Sequence, residues 1–266
     1  MNLFHAMADQ VMQKHRKVTM ERLGNFIGTG QWKDVNLTSL LYKNKVNVKS
    51  LMVYSPQFID VGEEDQPSSA SGSSTSSSYY GINLPFSEAV KGEYKQTKTG
   101  EKFGPSWTTH WFHIIAILPE EQAWSSKEVH FLWDSNCEAL LWSKEGRPMQ
   151  AFTGGTGVDR RAEYILTFDS KPGETFEFYV ELAANHMFGN DNGGIGNPAD
   201  DRYFTLEMCE VSVFCREAWD LYYDFEVIKD MAKHLPENDN RGSEALFIAN
   251  QIQNALWTND DPPSSS

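Results

Sequence analysis

Residues 174–182 read ETFEFYVEL, and their alternation decides the fold. Phe176, Phe178, Val180 and Leu182 fall on one side of an extended chain, and Thr175, Glu177, Tyr179 and Glu181 on the other. A period of two marks a strand with one face in a core. Upstream, EVHFLWD at 128–134 repeats it, with Val129, Phe131 and Trp133 alternating with Glu128, His130 and Asp134. SWTTHWFHIIAIL at 106–118 is β-branched or aromatic on both faces, as a strand covered on both sides requires. Downstream, Phe204, Leu206 and Met208 hold one phase, and Val211, Val213 and Cys215 take the other. That slip predicts a bulge near Cys209–Glu210. Strands from about 103 to 215, parted by Gly, Pro and Asp turns with no helix between them, predict a mainly β fold, a jelly-roll-like β-sandwich.

The flanks change period. Ala218, Leu221, Tyr222, Phe225, Ile228, Ala232 and Leu235 follow a 3.6-residue spacing up to Pro236, and a second helix is expected from Ser243, a plausible N-cap, to Trp257, with Leu246, Ala249, Ile252 and Leu256 on one face. Trp219, Tyr223 and Val227 lie off the first helix's main stripe, so that helix is apolar on more than one side and is expected to show a docking face. An N-terminal helix is expected over 8–27, its basic middle (Lys14, His15, Arg16, Lys17) read as a solvated face. PSSASGSSTSSS at 67–78 has eight Ser in twelve residues and nothing to bury, which predicts a disordered insertion dispensable for folding. The expected division is an N-terminal helix and extended segment (1–60), the Ser-rich insertion (61–80), the β-sandwich (81–215), a helical connector (216–257) and a disordered tail (258–266).

Composition narrows the function. The 266 residues suffice for one or two domains, and 40% hydrophobic with 23% charged residues is globular. Lys and Arg number 23 against 37 Asp and Glu, a net charge of −14, which argues against nucleic acid and anionic membrane partners. No apolar run approaches the ~20 residues that span a bilayer. The N-terminus lacks the apolar region of a secretory signal. Three Cys (Cys137, Cys209 and Cys215) suit free thiols in a reducing compartment, and Asn36-Leu37-Thr38 is then an idle glycosylation sequon.

His110 and His113 suggest a metal pair, but a separation of three on a strand places them on opposite faces. GNDNGGIGNPADDR at 189–202 is rich in calcium-type ligands, yet Arg202 stands where an EF-hand loop needs Glu, so a turn is the better reading. GGTG at 154–157 lacks the Lys-Ser/Thr of a phosphate loop. Asp134 and Glu138 beside Cys137 are carboxylates of the glycosidase kind, though a pair must be held at a set separation to act. Trp107, Trp111, Trp133 and Trp142 suit either sugar stacking or core packing; Trp107 and Trp111 share strand parity, and core packing is expected for most.

Several strings resemble the N-terminal, non-catalytic region of the cytosolic and vacuolar alpha-mannosidases of glycoside hydrolase family 38. They are TMERLGNFI (19–27), DVNL (34–37), FGPSWTTHWF (103–112), EVHFLWDSNCEALLW (128–142) with Gly146 and Pro148-Met149-Gln150, EYILT (163–167), FYVELAANHMFG (178–189), YYDFEVIKDMAKHLP (222–236) and ALFIANQIQN (245–254). The resemblance implies a parent enzyme that is retaining and zinc-dependent and removes terminal alpha-mannose from oligosaccharides. The family's His-x-Asp-x-Ala-Trp-Leu-type zinc motif and its Asp nucleophile have no matching positions here. No catalytic, cofactor-binding or metal residue is therefore assigned to this chain; zinc belongs to the parent. Expected partners are the parent's catalytic domain and further copies in a homo-oligomer. The expected location is the cytoplasm, with the vacuole as an alternative destination. The rival readings are a stand-alone β-sandwich that binds carbohydrate or protein and, ranked last, a distinct hydrolase using Asp134 and Glu138.

Overall fold

A computed structural model describes residues 3–31, 33–56, 59–60, 79–80, 84–154, 160–185 and 202–258. In chain order the elements are α1 (Leu3–Ile27), β1 (Tyr42–Asn47), β2 (Ser50–Tyr54), β3 (Ile59–Asp60), β4 (Tyr79–Tyr80), α2 (Phe86–Ala89), β5 (Lys95–Gln96), β6 (Lys102–Phe103), β7 (Thr109–Ile117), β8 (Val129–Asp134), β9 (Glu138–Ser143), β10 (Pro148–Thr153), β11 (Glu163–Thr167), β12 (Thr175–Ala183), β13 (Phe204–Thr205), β14 (Met208–Phe214), α3 (Arg216–His234) and α4 (Asn240–Thr258). They form two units: Asn44–Val213, and Met1–Lys43 with Phe214–Ser266. The Ser-rich 67–78, most of the loop at 189–202 and the tail from 259 lie outside the described residues.

The first unit is the expected β-sandwich. One sheet has the order β1-β14-β8-β11 and the other β10-β9-β12-β7-β2-β5. The ETFEFYVEL stretch is β12, an inner strand held antiparallel by β7 (Val180↔Phe112) and by β9 (Val180↔Leu141). Its Phe178, Val180 and Leu182 join Phe112, Ile114 and Ala116 of β7 against Val129, Phe131 and Trp133 of β8 and Val211 and Val213 of β14. Rings cross from sheet to sheet edge-on: Phe112 to Trp133 at 5.0 Å and Phe131 to Phe178 at 4.7 Å. The same strands therefore fix both the sheets and the core between them.

Two expectations need correction. The phase slip is not a bulge. The β14–β8 register runs unbroken from Met208↔Asp134 to Val213↔Val129, and the phase changes before it, where β13 ends and the chain leaves β6 to join another sheet. Nor does the sandwich begin at 81. β2 pairs with β7 (Leu51↔Ile114, Val53↔Phe112), and Val46, Val48, Leu51 and Val53 pack against the core. The corner at Val48-Lys49 carries the chain from the four-stranded sheet to the six-stranded one.

The second unit is three helices drawn from both flanks. Leu23, Phe26 and Ile27 of α1 share a core with Ala218, Phe225 and Ala232 of α3 and Leu246 and Ala249 of α4. The Phe26 and Phe225 rings lie 4.9 Å apart. Asn36 closes the C-terminal end of α1: its buried amide donates to the carbonyls of Asn25 (2.8 Å) and Gly28 (2.7 Å), while its Oδ1 accepts the Thr38 N–H (3.0 Å). That sequon asparagine is thus a structural cap. Gly28 is needed there, because a Cβ would stand 2.7 Å from the Gly24 carbonyl oxygen. Asp239, rather than Ser243, caps α4, its Oδ1 accepting the Arg241 N–H at 2.8 Å.

Candidate functional site

On α3 the core takes Ala218, Leu221, Tyr222, Phe225, Ile228 and Ala232. At about 100° per residue, Trp219, Tyr223, Val227 and Met231 form a second apolar line, each four residues beyond the last, on the other side of the helix. Tyr223 is 50% exposed, Val227 59% and Met231 38%. Trp219 is half-buried, with Tyr223 edge-on at 4.7 Å and Phe214 at 5.7 Å, so the line begins on an anchored aromatic and runs out over open surface. The same helical arithmetic places Asp220 and Asp224 along one border and Glu226 and Asp230 along the other. Lys229 pairs with Glu226 at 3.0 Å. An apolar line between two acidic borders suits an apolar surface with a basic rim. The second apolar side expected on Trp219, Tyr223 and Val227 is present, and Tyr223 and Val227 are exposed on it. On α4, by contrast, Leu246 and Ala249 are buried while Leu256 is 40% exposed, so the expected single face does not extend to that end.

The polar candidates are occupied by structural work. His110 is buried, with Nδ1 2.8 Å from Ser55 Oγ and Nε2 2.9 Å from Thr108 Oγ1, and burial pulls its pKa down to about 4. His113 sits on the opposite face of β7, 2.9 Å from Glu177 Oε1 and stacked on Tyr179 at 4.7 Å. The two do not meet. Asp134 is buried and receives Arg160 Nε (3.0 Å), Arg160 Nη2 (2.8 Å) and the Asn136 N–H (2.9 Å), so this carboxylate braces the β8–β9 turn. Burial pushes the Cys137 thiol up to about 12, which leaves it unreactive at neutral pH. The resemblance implies zinc in the parent, yet no three His, Cys, Asp or Glu side chains gather to hold a metal among the described residues. The described residues do not fit that ion.

Of the four tryptophans, only Trp133 lies in the sandwich core. Trp107 stands before β7 begins, at φ 69° and 46% exposed, so strand parity does not reach it. Trp111 is buried, but on the outer face of the six-stranded sheet. There Phe86 of α2 covers Trp111 (6.0 Å) and stacks on Trp142 (5.5 Å), whose indole N–H donates to Glu181 at 3.1 Å. Burial raises the Glu181 carboxyl above its ordinary range despite that bond. This second aromatic layer accounts for the two apolar faces of β7. Its cover, from α2 to Tyr94, carried no sequence signal beyond the demand of β7 for something on its second face.

Residues 73–212 match the family model described as the jelly roll domain of alpha-mannosidase. Alpha-mannosidase G of Dictyostelium discoideum is 38% identical over 251 residues, 94% of this chain and 21% of that protein. Alpha-mannosidase 2C1 of Homo sapiens is 31% identical over 245 residues, 91% of this chain and 21% of that protein. The chain thus spans about a fifth of the length of these curated relatives. Among solved structures, the beta-glucuronidase of Ruminococcus gnavus aligns with a TM-score of 0.37 and 11% identity, over 65% of this chain and 29% of that one.

Proposed function

Because the chain belongs to the alpha-mannosidase jelly-roll family, we propose that it is the non-catalytic framework region of an enzyme that removes terminal alpha-mannose from oligosaccharides, and that the rest of that enzyme packs on the Trp219–Met231 line. The observation that carries this reading is the line itself, a helix face left apolar and exposed in a chain matching about a fifth of its relatives. The remaining four-fifths of such an enzyme is the natural cover, and the acidic borders favour a basic rim on it. The catalytic zinc of the parent would be held in that remainder. We also place the enzyme in the cytoplasm, with the vacuole as an alternative destination, as a homo-oligomer. No helix among the described residues is long and apolar enough to cross a membrane.

Two measurements test the proposal. The purified chain, given an aryl alpha-mannoside and added zinc, is expected to show no turnover; chelator-sensitive hydrolysis that survives controls for contaminants overturns the framework reading. In sedimentation over a concentration series, the chain is expected to self-associate through its uncovered line, and Tyr223→Lys with Val227→Lys is expected to relieve this. A clean monomer at every concentration, unaltered by the pair, overturns the docking role.

A further inference from the structure

The sandwich has an open edge. β1 ends the four-stranded sheet and β5 ends the six-stranded one. Between the β1–β2 corner and the residues after β5 lies a cavity of about 410 Å³, within the range of small-molecule sites. Lys49, Ser50, Lys98, Thr99 and Cys209 are among its lining residues. Cys209 is 3% exposed, a buried thiol in that lining.

The charge of this edge runs against the rest of the molecule. Residues 42–49 (YKNKVNVK) and 95–102 (KQTKTGEK) hold six lysines and one carboxylate, in a chain of net charge −14. The carboxylate, Glu101, is engaged by the Thr97 hydroxyl at 2.6 Å, and Lys45 is paired with Glu210 at 3.2 Å. Lys49 and Lys98 have no ion pair among the described residues, and the side chains of Ser50 and Thr99 have no hydrogen bond among them. Lysines on edge strands also guard against edge-to-edge pairing. That role does not account for these two, because Lys49 lies in the corner after β1 and Lys98 lies beyond the end of β5. Two lysines and two hydroxyl side chains without partners among the described residues thus line one cavity.

We propose that this cavity binds a small anionic, polyhydroxylated ligand of the hexose-phosphate class. Lys49 and Lys98 grip the anion as point charges, and Ser50 and Thr99 hydrogen-bond the hydroxyls of the sugar. The net acidic charge of the chain steers anions toward this basic edge.

Isothermal titration of the whole chain with glucose 6-phosphate, glucose and inorganic phosphate tests this. Saturable binding of glucose 6-phosphate is expected, with inorganic phosphate weaker and glucose weakest. Lys49→Gln with Lys98→Gln should weaken glucose 6-phosphate about tenfold or more, and Lys49→Arg with Lys98→Arg should restore most of it. Ser50→Ala with Thr99→Val should erase the advantage of glucose 6-phosphate over inorganic phosphate. All these positions except Ser50 are exposed, and a thermal melt of each variant verifies the fold. Absence of binding at millimolar probe overturns the proposal. So does equal binding of inorganic phosphate and glucose 6-phosphate, which removes the sugar from the reading. An equal loss from Lys144→Gln with Lys171→Gln, neither of which lines the cavity, overturns it too, by reducing the effect to net charge.

Discussion

β7 and α3 are both apolar on two sides, and they end differently. β7 puts Phe112 and Ile114 into the sandwich core and Trp111 under Phe86 on the opposite face, and all three are buried. α3 puts Phe225 into the helical core at 0% exposure, while Val227, two residues on, is 59% exposed. The strand has found both of its covers within the described residues; the helix has found one. The comparison teaches that two-sided apolarity in sequence reports how many surfaces an element needs, and the structure then shows which are already supplied. A surface still lacking its cover is where a partner belongs.

The largest way to break the comparison is in the sandwich. Trp133→Ala removes a fully buried ring that meets Phe112, so a loss of about 3–5 kcal/mol is expected in urea unfolding. A loss under about 1 kcal/mol would mean that this core is no better finished than the helical face. Next comes acid. His110, on β7, has a folded pKa near 4 against about 6.5 unfolded. The unfolded chain binds the proton more readily, so this contribution is fully present above about pH 6.5 and is lost as pH falls toward 4, on the order of 3 kcal/mol. Denaturation midpoints across that window should fall steeply for the native chain and less steeply for His110→Gln; parallel curves would show the imidazole to be wetter than its burial implies. Smaller again, Arg160→Ala leaves the buried Asp134 carboxylate without its main donor and should cost about 1–3 kcal/mol, read by the same unfolding assay. Smallest in stability is Tyr223→Lys with Val227→Lys, expected within about 0.5 kcal/mol because both side chains are exposed. A drop of several kcal/mol there would show that the line is already covered, and the contrast with β7 would vanish.

The sequence made some of this plain. β8 and β12 were legible because their alternation survives unbroken and the residues it points inward are those the core contains. α3 was legible from spacing alone, and even its second face could be read. β1 and β2 were not. YKNKVNVK offers lysines at alternate positions and Tyr42 as its one aromatic, and what makes strands of this region is pairing, of β1 with β14 and of β2 with β7 some sixty residues on. Parity also failed for Trp107, since an alternation rule says nothing about a residue one step outside its strand. The apparent bulge near Cys209 has the same origin: one sequence window spanned two strands of two different sheets. The basic cavity has no sequence signature, because its two lysine-rich stretches, 42–49 and 95–102, are far apart in the chain and each alone reads as ordinary surface.

The helical core has a consequence in time. Phe26 and its partner Phe225 are separated by 199 positions (225 − 26), and α4 follows later still. At roughly 5–20 residues per second, a ribosome needs about 10–40 s to go from the first ring to the second. Through that interval α1 holds Leu23, Phe26 and Ile27 with none of their α3 or α4 partners yet made. The earliest helix of the chain is therefore the last to be satisfied, and its waiting face is the natural first target for whatever shields nascent polypeptides in the cell.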